Sequence, residues 1–495
     1  MKKTLMKKAF SALTAIMTTT TLAVSFNAIA ANTNDLNTGH AHLIDETVTA
    51  TIPIKKDIVA FNPEEKAVHE PNIVYTYDIS AANTSSAKIR TKDSANQPIE
   101  IDVHNGVLAA IEGIGDSGDS TSSMVSGTDK QTGTITFGKN NSPSAKKTGN
   151  KEISDTYNVN ENHKFTQKMN IVINANFIYN PANGQTGADK QVNPPGVYRY
   201  KIEDVTAASA FTNSGVEDGG AGNLLFLDVY TKYNSQHDGL VIYGYVIFRE
   251  ETTQDGTTIE YSTTVTDSEE IKTEGFVTSS EGDDNGDDTL VDTNKAKFDK
   301  YKTYNVKIEK KVAGALADRQ HQFPFTIQLS NSTVKSQADF TIMDTEGATN
   351  EHALDATGNC TNDAFKLKNG ETVTLIGLPS GTKVQVTEEN DLDDKYTVSA
   401  KINSTATNLI KGTDESTAAE SIALEKNEKS SLKTAFEFKT KGSTDVIEFT
   451  NTLSDVSVTG LLFSIAPFIF ITLTGALLLV FVIKRRNPNK NESII

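Results

Sequence analysis

A lysine, a glutamate and an asparagine stand on otherwise apolar faces of three short alternating segments in the C-terminal half of the chain. They are Lys310, Glu388 and Asn451. Side chains of a strand alternate between its two faces, so these three are predicted to point into the core. The neighbours that share their faces are Val306, Ile308 and Val312, then Val384 and Val386, then Ile447 and Phe449. A charged lysine is rarely buried without a partner, so the three side chains are expected to meet.

Two kinds of chemistry are open to this triad. The first is a buried Lys–Glu ion pair capped by Asn451. The second is covalent, because burial lowers the pKa of a lysine and raises the pKa of a glutamate. A neutral Lys310 amine could then attack the side-chain carbonyl of Asn451 while the Glu388 acid polarises that carbonyl and moves protons. Ammonia would leave, and an isopeptide bond would tie the first strand to the last. Well-oriented groups reach effective molarities on the order of 10⁵ M, so no external enzyme is needed.

The N-terminal half repeats the same order of elements. Lys56 shares a face with Ile52, Ile54 and Ile58, and a later strand that follows Pro194-Pro195-Gly196 ends at Asp204. By parity Asp204, rather than Glu203, faces the core with Lys56. The segment Gly275-Phe276-Val277-Thr278 puts Thr278 where an asparagine is expected. Threonine has no amide carbonyl, so the sequence leaves a bond from Lys56 without an identified partner.

The organisation predicted from these patterns is all-β, with two tandem immunoglobulin-like β-sandwich domains. Gly, Asn, Asp and Ser punctuate short alternating runs, and the chain has no Trp. The N-terminal domain is predicted at 31–278, with a Gly/Ser/Thr-rich mobile surface insertion at 113–150. An acidic linker at 279–302 leads to the C-terminal domain at 303–455.

The start of the chain has the pattern of a secretory signal peptide. Four lysines precede a mostly apolar stretch that ends in Ala28-Ile29-Ala30, so cleavage is predicted after Ala30 and residues 1–30 are removed. Such a protein is exported from the cell.

The end of the chain combines a short motif, an apolar run and positive charge. Residues 456–460 read Val-Ser-Val-Thr-Gly, residues 461–483 are uncharged and mostly apolar, and a basic tail follows at 484–495. The run is long enough to cross a bilayer as a helix, with the basic cluster on the cytoplasmic side. A plain single-pass anchor explains the helix and the charges but not the Thr-Gly pair. The segment 456–495 resembles a Gram-positive sorting signal of the LPxTG type, although Val456 and Ser457 depart from Leu and Pro. The resemblance implies that a sortase cuts between Thr459 and Gly460.

Charge and composition exclude several classes of function. Of 47 Lys+Arg and 64 Asp+Glu, eight basic residues and one acidic residue lie in the two removed ends, which leaves a net charge of −24. A nucleic-acid-binding or anionic-membrane-binding role is therefore not expected. Cys360 is the single cysteine, so no internal disulfide forms. No histidine pair has metal-ligand spacing and no Ser/His/Asp arrangement stands out, so neither a metal, nor a cofactor, nor an extracellular hydrolase is indicated.

Three segments of the C-terminal half resemble CnaB-type pilin domains. The stretch 306–314 resembles their opening strand, Lys383-Val384-Gln385-Val386-Thr387-Glu388 their E-box, and Phe449-Thr450-Asn451-Thr452 their closing Phe-x-Asn. The resemblance implies that Lys310 and Asn451 are linked and that Glu388 is the catalytic acid. The N-terminal half resembles the N-terminal domain of FctA-type major pilins, in the stretches 196–204, Leu227-Asp228-Val229-Tyr230 and Tyr243-Gly244-Tyr245.

The resemblance implies a structural role rather than an enzymatic one, at the cell surface of a Gram-positive bacterium. In related pili a sortase joins the threonine of one subunit to a lysine of the next, and the candidates near the domain junction are Lys272, Lys300 and Lys302. The partners implied are a sortase, neighbouring subunits and peptidoglycan. The alternative is a monomeric wall-anchored adhesin whose first domain binds a host surface molecule.

Overall fold

The computed structural model describes most of the region between the two predicted processing segments. The described residues are 42–62, 68–84, 87–92, 97–116, 129–138, 164–180, 192–219, 224–249, 251–252, 258–259, 273–277, 299–389, 396–407, 409–411, 418–419, 421–424, 429–432, 436–437, 444–454 and 458–486. The predicted signal peptide therefore lies outside the described residues.

The N-terminal half is built from strands joined by short turns and helices. Its strands are β1 His42–Thr47, β2 Thr49–Phe61, β3 Ile73–Ala81, β4 Lys88–Lys92, β5 Pro98–Asn105, β6 Ile111–Asp116, β7 Lys130–Phe137, β8 Lys164–Asn174, β9 Val197–Asp204, β10 Val216–Glu217, β11 Leu224–Tyr233, β12 Leu240–Arg249, β13 Glu251–Thr252, β14 Thr258–Ile259 and β15 Gly275–Phe276. A 3-10 turn, Leu108–Ala110, and helices α1 Ala175–Tyr179 and α2 Ala208–Ser214 complete it.

Two sheets face each other in this half. One runs in the order β1-β12-β11-β9-β3-β7, and the other contains β2, β8 and β6. Their inner faces share one hydrophobic core, to which β2 contributes Ile52 and Ile54 and β3 contributes Tyr75 and Tyr77. The alternation of the sequence thus produces a β-sandwich.

The C-terminal half is also made of strands. They are β16 Lys300–Ala313, β17 Phe323–Ser330, β18 Ala338–Met343, β19 Thr349–Leu354, β20 Asn359–Leu367, β21 Thr372–Pro379, β22 Lys383–Glu389, β23 Tyr396–Ile402, β24 Thr405–Thr407, β25 Leu409–Lys411, β26 Ala418–Ala419, β27 Ser421–Leu424, β28 Lys429–Leu432, β29 Phe436–Glu437 and β30 Asp445–Leu453.

These strands form a second sandwich around a second hydrophobic core. One sheet contains β19, β18, β21, β16, β30 and β23, and the facing sheet runs β20-β17-β22-β28-β25-β26. Ile308 and Phe449 come to this core from the first sheet, and Phe325 and Val386 come from the second. The prediction of an all-β chain is confirmed.

Strand β16 belongs to both sandwiches. Its first residues pair in parallel with β2, with Lys300 opposite Val59 and Lys302 opposite Phe61. Its later residues pair in parallel with β30 and antiparallel with β21. One uninterrupted strand therefore closes the first sandwich and opens the second.

Two of the predicted boundaries differ from the structure. Within the expected mobile insertion, β6 pairs with β8 and β7 pairs with β3, and Ile135 and Phe137 are fully buried. Residues 113–116 of β6 and all of β7, Lys130–Phe137, thus belong to the sandwich, and their many Thr and Gly residues conceal the period-2 pattern. The end of the expected acidic linker is also structured, because Tyr301 is buried and β16 begins at Lys300.

The last element is helix α3, Val458–Arg486. Within the part of the chain that the structure describes, no helix is both long enough and apolar enough to span a membrane. Thr459 and Gly460 belong to the first turn of α3. The large side chains described along the helix, from Ile469 to Ile483, are about half to three-quarters exposed.

Candidate functional site: two buried lysine–carboxylate clusters

The C-terminal cluster joins three strands from two facing sheets. Lys310 lies in β16 and Asn451 in β30, and the two strands are parallel neighbours in which Asn451 pairs with Val312. Glu388 lies in β22 of the facing sheet, paired with Phe325 of β17. The structure therefore brings together the three side chains that the alternation predicted to point inward.

All three side chains are 0 % exposed, and one carboxylate oxygen connects them. Nζ of Lys310 lies 2.6 Å from Oε1 of Glu388. Nδ2 of Asn451 donates to the same oxygen at 2.5 Å. Both nitrogens are thus held within hydrogen-bond distance of a single proton acceptor.

Aromatic rings separate the Lys310 amine from water. Nζ lies 4.1 Å from the centre of the Phe323 ring and 5.5 Å from the centre of the Phe325 ring. Burial lowers the pKa of Lys310 from 10.5 to about 8, although the Glu388 charge and hydrogen bond act in the opposite direction. An amine with this pKa is neutral in roughly one molecule in ten at pH 7, and the neutral form is the nucleophile.

Two atoms of the cluster lack hydrogen-bond partners among the described residues. They are Oδ1 of Asn451 and Oε2 of Glu388. A buried acceptor without a donor costs about 1–3 kcal/mol, so its presence in a native site calls for an explanation. Rotating the Asn451 amide by half a turn exchanges Oδ1 and Nδ2, a choice that the hydrogen-bond network must decide. The rotated amide would present its carbonyl oxygen to Oε1 of Glu388, where a protonated acid would donate to it.

The N-terminal cluster has the same plan with different acids. Nζ of Lys56 lies 2.7 Å from Oδ2 of Asp299 and 4.0 Å from Oδ2 of Asp204. Asp299 immediately precedes β16, and Asp204 ends β9 in the facing sheet. The ring centres of Tyr75 and Phe276 lie 4.5 Å and 5.7 Å from Nζ of Lys56. These rings occupy the same place around Lys56 as Phe323 and Phe325 do around Lys310.

Strand register makes Asp299 the counterpart of Asn451. Asn451 lies opposite Val312, two residues after Lys310, on a parallel neighbouring strand. Lys300 lies opposite Val59 on another parallel pair. Asp299 therefore lies opposite Ile58, which is two residues after Lys56. Sequence reasoning missed Asp299 because it assigned this residue to the linker.

Burial changes the acidity of one carboxyl of the N-terminal cluster. Burial raises the pKa of the Asp204 carboxyl, and the Lys56 charge and the hydrogen bonds from Thr206 only partly offset that effect. Oδ1 of Asp299 accepts a hydrogen bond from the Gly219 amide at 2.8 Å, which leaves Oδ2 directed at Lys56. Asp299 is 6 % exposed, so its charge is largely removed from water.

The expected closing strand of the first domain is present but short. Strand β15 pairs in parallel with β2, with Gly275 opposite Lys55 and Phe276 opposite Lys56. Thr278 lies outside the described residues. After β15, Asp299 and the start of β16 continue the pairing with β2. The position where an asparagine was expected therefore holds Asp299.

The candidate acceptor lysines lie in different surroundings. Lys302 pairs with Phe61 of β2, and its Nζ lies 3.2 Å from Oε2 of Glu217, with 21 % of the side chain exposed. Lys300 is half-buried at the start of β16. Lys272 lies outside the described residues.

Comparisons with known proteins give one family model and several similar solved structures. A family model described as a domain of unknown function, DUF7601, matches residues 304–423. No curated protein matches the chain. The chain is similar to the major pilin of Streptococcus pyogenes, with 16 % identity, 82 % of this chain and 98 % of that chain covered, and a TM-score of 0.34.

Two further solved structures are similar over most of their length. The T3.2 major pilin of Streptococcus pyogenes has 18 % identity, with 83 % of this chain and 100 % of that chain covered and a TM-score of 0.36. An adhesin from Mobiluncus mulieris, described as containing intramolecular disulfide, isopeptide and ester cross-links, has 10 % identity, coverage of 82 % and 99 %, and a TM-score of 0.20.

Proposed function

We propose that this chain is a structural subunit of a covalently polymerised pilus anchored in the wall of a Gram-positive bacterium. A sortase would process it at Thr459-Gly460, and an isopeptide bond between Lys310 and Asn451 would stabilise it. The observation that carries this proposal is the fully buried triad in which Lys310 and Asn451 both contact Oε1 of Glu388. An ion pair alone does not require an amide on the same carboxylate oxygen.

The bond forms by attack of the lysine amine on the asparagine amide. Transfer of one proton from Nζ of Lys310 to Oε1 of Glu388 gives a neutral amine and a neutral acid. The acid donates to the carbonyl oxygen of the rotated Asn451 amide, and Nζ adds to Cγ. The C–Nδ2 bond then breaks and one hydrogen of the amine leaves with Nδ2 as ammonia. The proton that Glu388 took from Lys310 leaves with it as ammonium, which regenerates the carboxylate.

Intact mass tests this bond. This bond should make the protein lighter than its sequence mass by one ammonia, and Glu388→Ala should remove that deficit, because no acid would polarise the Asn451 carbonyl or carry the protons. Glu389→Ala is the matched control. Glu389 is the next residue of β22, but its side chain is 39 % exposed and contacts Lys429 rather than Lys310. A wild-type protein without the ammonia deficit would leave the buried ion pair as the correct interpretation.

The same proposal extends to Lys56, with Asp299 as the partner and Asp204 as the acid. Here the amine attacks a carboxyl, so the Asp299 Cγ–O bond breaks and water leaves with two hydrogens from the ammonium group. Support comes from the 2.7 Å contact, from the register shared with Asn451 and from the raised pKa of Asp204. The bond would join β2 to the start of β16.

Replacing Asp299 with asparagine gives a sharp test of this second bond. Wild type would lose water and Asp299→Asn would lose ammonia, and the resulting amide is the same in both. The two mature proteins should therefore have identical masses although their sequences differ. Asp299→Ala should retain the water, and Glu203→Gln, at an exposed neighbouring position, should behave as wild type at this site. Different masses for wild type and Asp299→Asn would contradict the bond.

The sorting step rests on the C-terminal segment. In the sequence, the uncharged run 461–483 follows the Thr459-Gly460 pair and precedes Lys484, Arg485 and Arg486, the order of a sorting signal. Thr459→Ala should keep the protein in the membrane fraction and abolish polymer. Thr452→Ala, in β30, serves as a control that leaves the motif intact. Release of Thr459→Ala only by wall-digesting enzymes would contradict the cleavage assignment.

Polymerisation distinguishes a pilus subunit from a monomeric adhesin. Wall extracts boiled in detergent should give a high-mass ladder, whereas a monomeric adhesin gives one band. Lys272→Arg, Lys300→Arg and Lys302→Arg, made singly, keep the charge but remove the primary amine. Loss of the ladder in one of them would identify the acceptor, and a ladder in all three would exclude these lysines.

A further inference from the structure

A histidine from the N-terminal half lies between two carboxylates of the C-terminal half. His69 precedes β3, whereas Asp339 belongs to β18 and Glu351 to β19. One ligand-type atom from each residue lies within 4.8 Å of the corresponding atoms of the other two. We propose that His69, Asp339 and Glu351 bind one divalent transition-metal ion of the zinc class, which fastens the two sandwiches to each other.

The distances suit shared coordination. Nδ1 of His69 lies 3.4 Å from Oε1 of Glu351, which is longer than the 2.7–3.2 Å of an ordinary N–H···O hydrogen bond. Two ligands about 2.0–2.1 Å from a tetrahedral zinc ion are separated by about 3.3 Å. An octahedral ion of similar bond length would bring adjacent ligands to about 2.9 Å. The separation of Nδ1 of His69 and Oε1 of Glu351 therefore matches that of two ligands of a tetrahedral ion.

The other ring nitrogen is already oriented. Nε2 of His69 lies 3.2 Å from Oγ1 of Thr341. When Nε2–H donates to this hydroxyl, the lone pair of the ring is on Nδ1 and points toward Glu351. Metal-binding histidines are commonly fixed in this way by a hydrogen bond from the nitrogen that does not bind the ion.

Burial and charge favour a cation at this position. His69 and Asp339 are 2 % and 6 % exposed. Little water is therefore present to screen the negative charge of Asp339 and Glu351 beside the His69 ring. The Glu351 side chain is 30 % exposed and offers a path from solvent. One imidazole and two carboxylates supply borderline and hard donors, a set that zinc accepts, and leave a fourth position for water.

The surrounding contacts place the site in the junction between the sandwiches. Nδ2 of Asn72 donates to the carbonyl of Gln337, directly before β18. The amides of Lys335 and Ser336 donate to the carbonyl of Asn213 at 2.7 and 2.8 Å. An ion held by residues from both sides would add a strong contact to this set and restrict rotation of one half against the other.

Metal uptake by the full chain, purified in detergent and stripped with a chelator, tests the proposal. After incubation with zinc and gel filtration, the wild type should retain one zinc per chain and should unfold at a higher temperature than the stripped protein. His69→Gln and Asp339→Asn should lose this zinc. Glu351→Gln, at a partly exposed position where folding is not at risk, should weaken binding at least tenfold.

Glu346→Gln, an exposed carboxylate in the same half, is the matched control and should bind zinc as the wild type does. Parallel incubations with manganese and calcium establish the class of ion, and a preference for calcium would contradict the zinc class. If the wild type retains no zinc, or if Glu351→Gln and His69→Gln bind as tightly as Glu346→Gln, the site is an ion cluster of a protonated His69 and the proposal is wrong.

Discussion

At the scale of single residues, the chain buries two lysine side chains, Lys310 completely and Lys56 to about nine-tenths. Lys310 has a lowered pKa because burial outweighs the attraction of Glu388. An amide nitrogen formed from Lys310 would not titrate at all, whereas a free buried amine would. Stability as a function of pH therefore distinguishes the covalent state from the ion pair.

The Asn451→Ala variant should show this titration. Its Lys310 stays a free amine, and burial holds the folded-state pKa at about 8, below the ordinary lysine value of 10.5. Between these values the unfolded chain binds more protons than the folded one, so the free energy of unfolding rises with pH from about 8 to 10.5, by up to about 3 kcal/mol. Denaturant titrations at several pH values measure it. The wild type should lack this rise, and an equal rise in both proteins would exclude the bond.

At the scale of elements, the short strand β15 controls the surroundings of Lys56. Gly275 has φ +145°, and a Cβ atom there would lie 2.1 Å from the carbonyl oxygen of Lys55. Only glycine allows β15 to approach β2 this closely, and the approach brings the Phe276 ring to Lys56. Phe276 also stacks on Tyr77, with ring centres 4.7 Å apart.

Gly275→Ala should therefore displace β15 and admit water to Lys56. The expected loss of stability is about 1–3 kcal/mol, together with incomplete formation of the proposed Lys56–Asp299 bond. Thermal unfolding and intact mass measure the two effects. Gly347→Ala is the control, because Gly347 also has positive φ but has nothing within 4 Å of a Cβ. A full water deficit in Gly275→Ala would mean that β15 does not protect the site.

The sequence predicts the position of an ionisable residue when that residue lies on the same face of a strand as apolar neighbours. Lys310, Glu388 and Asn451 could be placed together because each stands in a strand with a clean period of two. Asp299 could not, because the closing edge of the first sandwich is made of two pieces, β15 and the start of β16, separated by the acidic stretch. The grouping of His69 with Asp339 could not be predicted either, since it depends on how two sandwiches meet.

At the scale of the whole molecule, each proposed bond closes a long loop of chain. A cross-link of a loop above 100 residues removes roughly 4–5 kcal/mol of unfolded-state entropy if the model for disulfides applies. In the sequence, Thr278 stands where the partner of Lys56 was expected, and threonine cannot form this bond. With Asp299 in that position, both sandwiches are expected to gain this stability.

Calorimetry of the two single variants tests this expectation. Asn451→Ala and Asp299→Ala should each lower an unfolding transition by roughly 10 to 20 °C, the first in the C-terminal sandwich and the second in the N-terminal one. Limited trypsin digestion assigns each transition to its half by the fragments that survive. If Asp299→Ala melts as the wild type does, the N-terminal bond is absent.

In the proposed pilus, the sharing of β16 between two sandwiches would determine how each subunit carries tension. Force entering at Thr459 reaches Asn451 along the chain, crosses to Lys310, returns along β16 to Asp299 and crosses again to Lys56 in β2. With both proposed bonds in place, this route is continuous and covalent. Most of the remaining strands lie outside it and carry no load, so a subunit would resist stretching even while the hydrogen bonds of its sheets open and close.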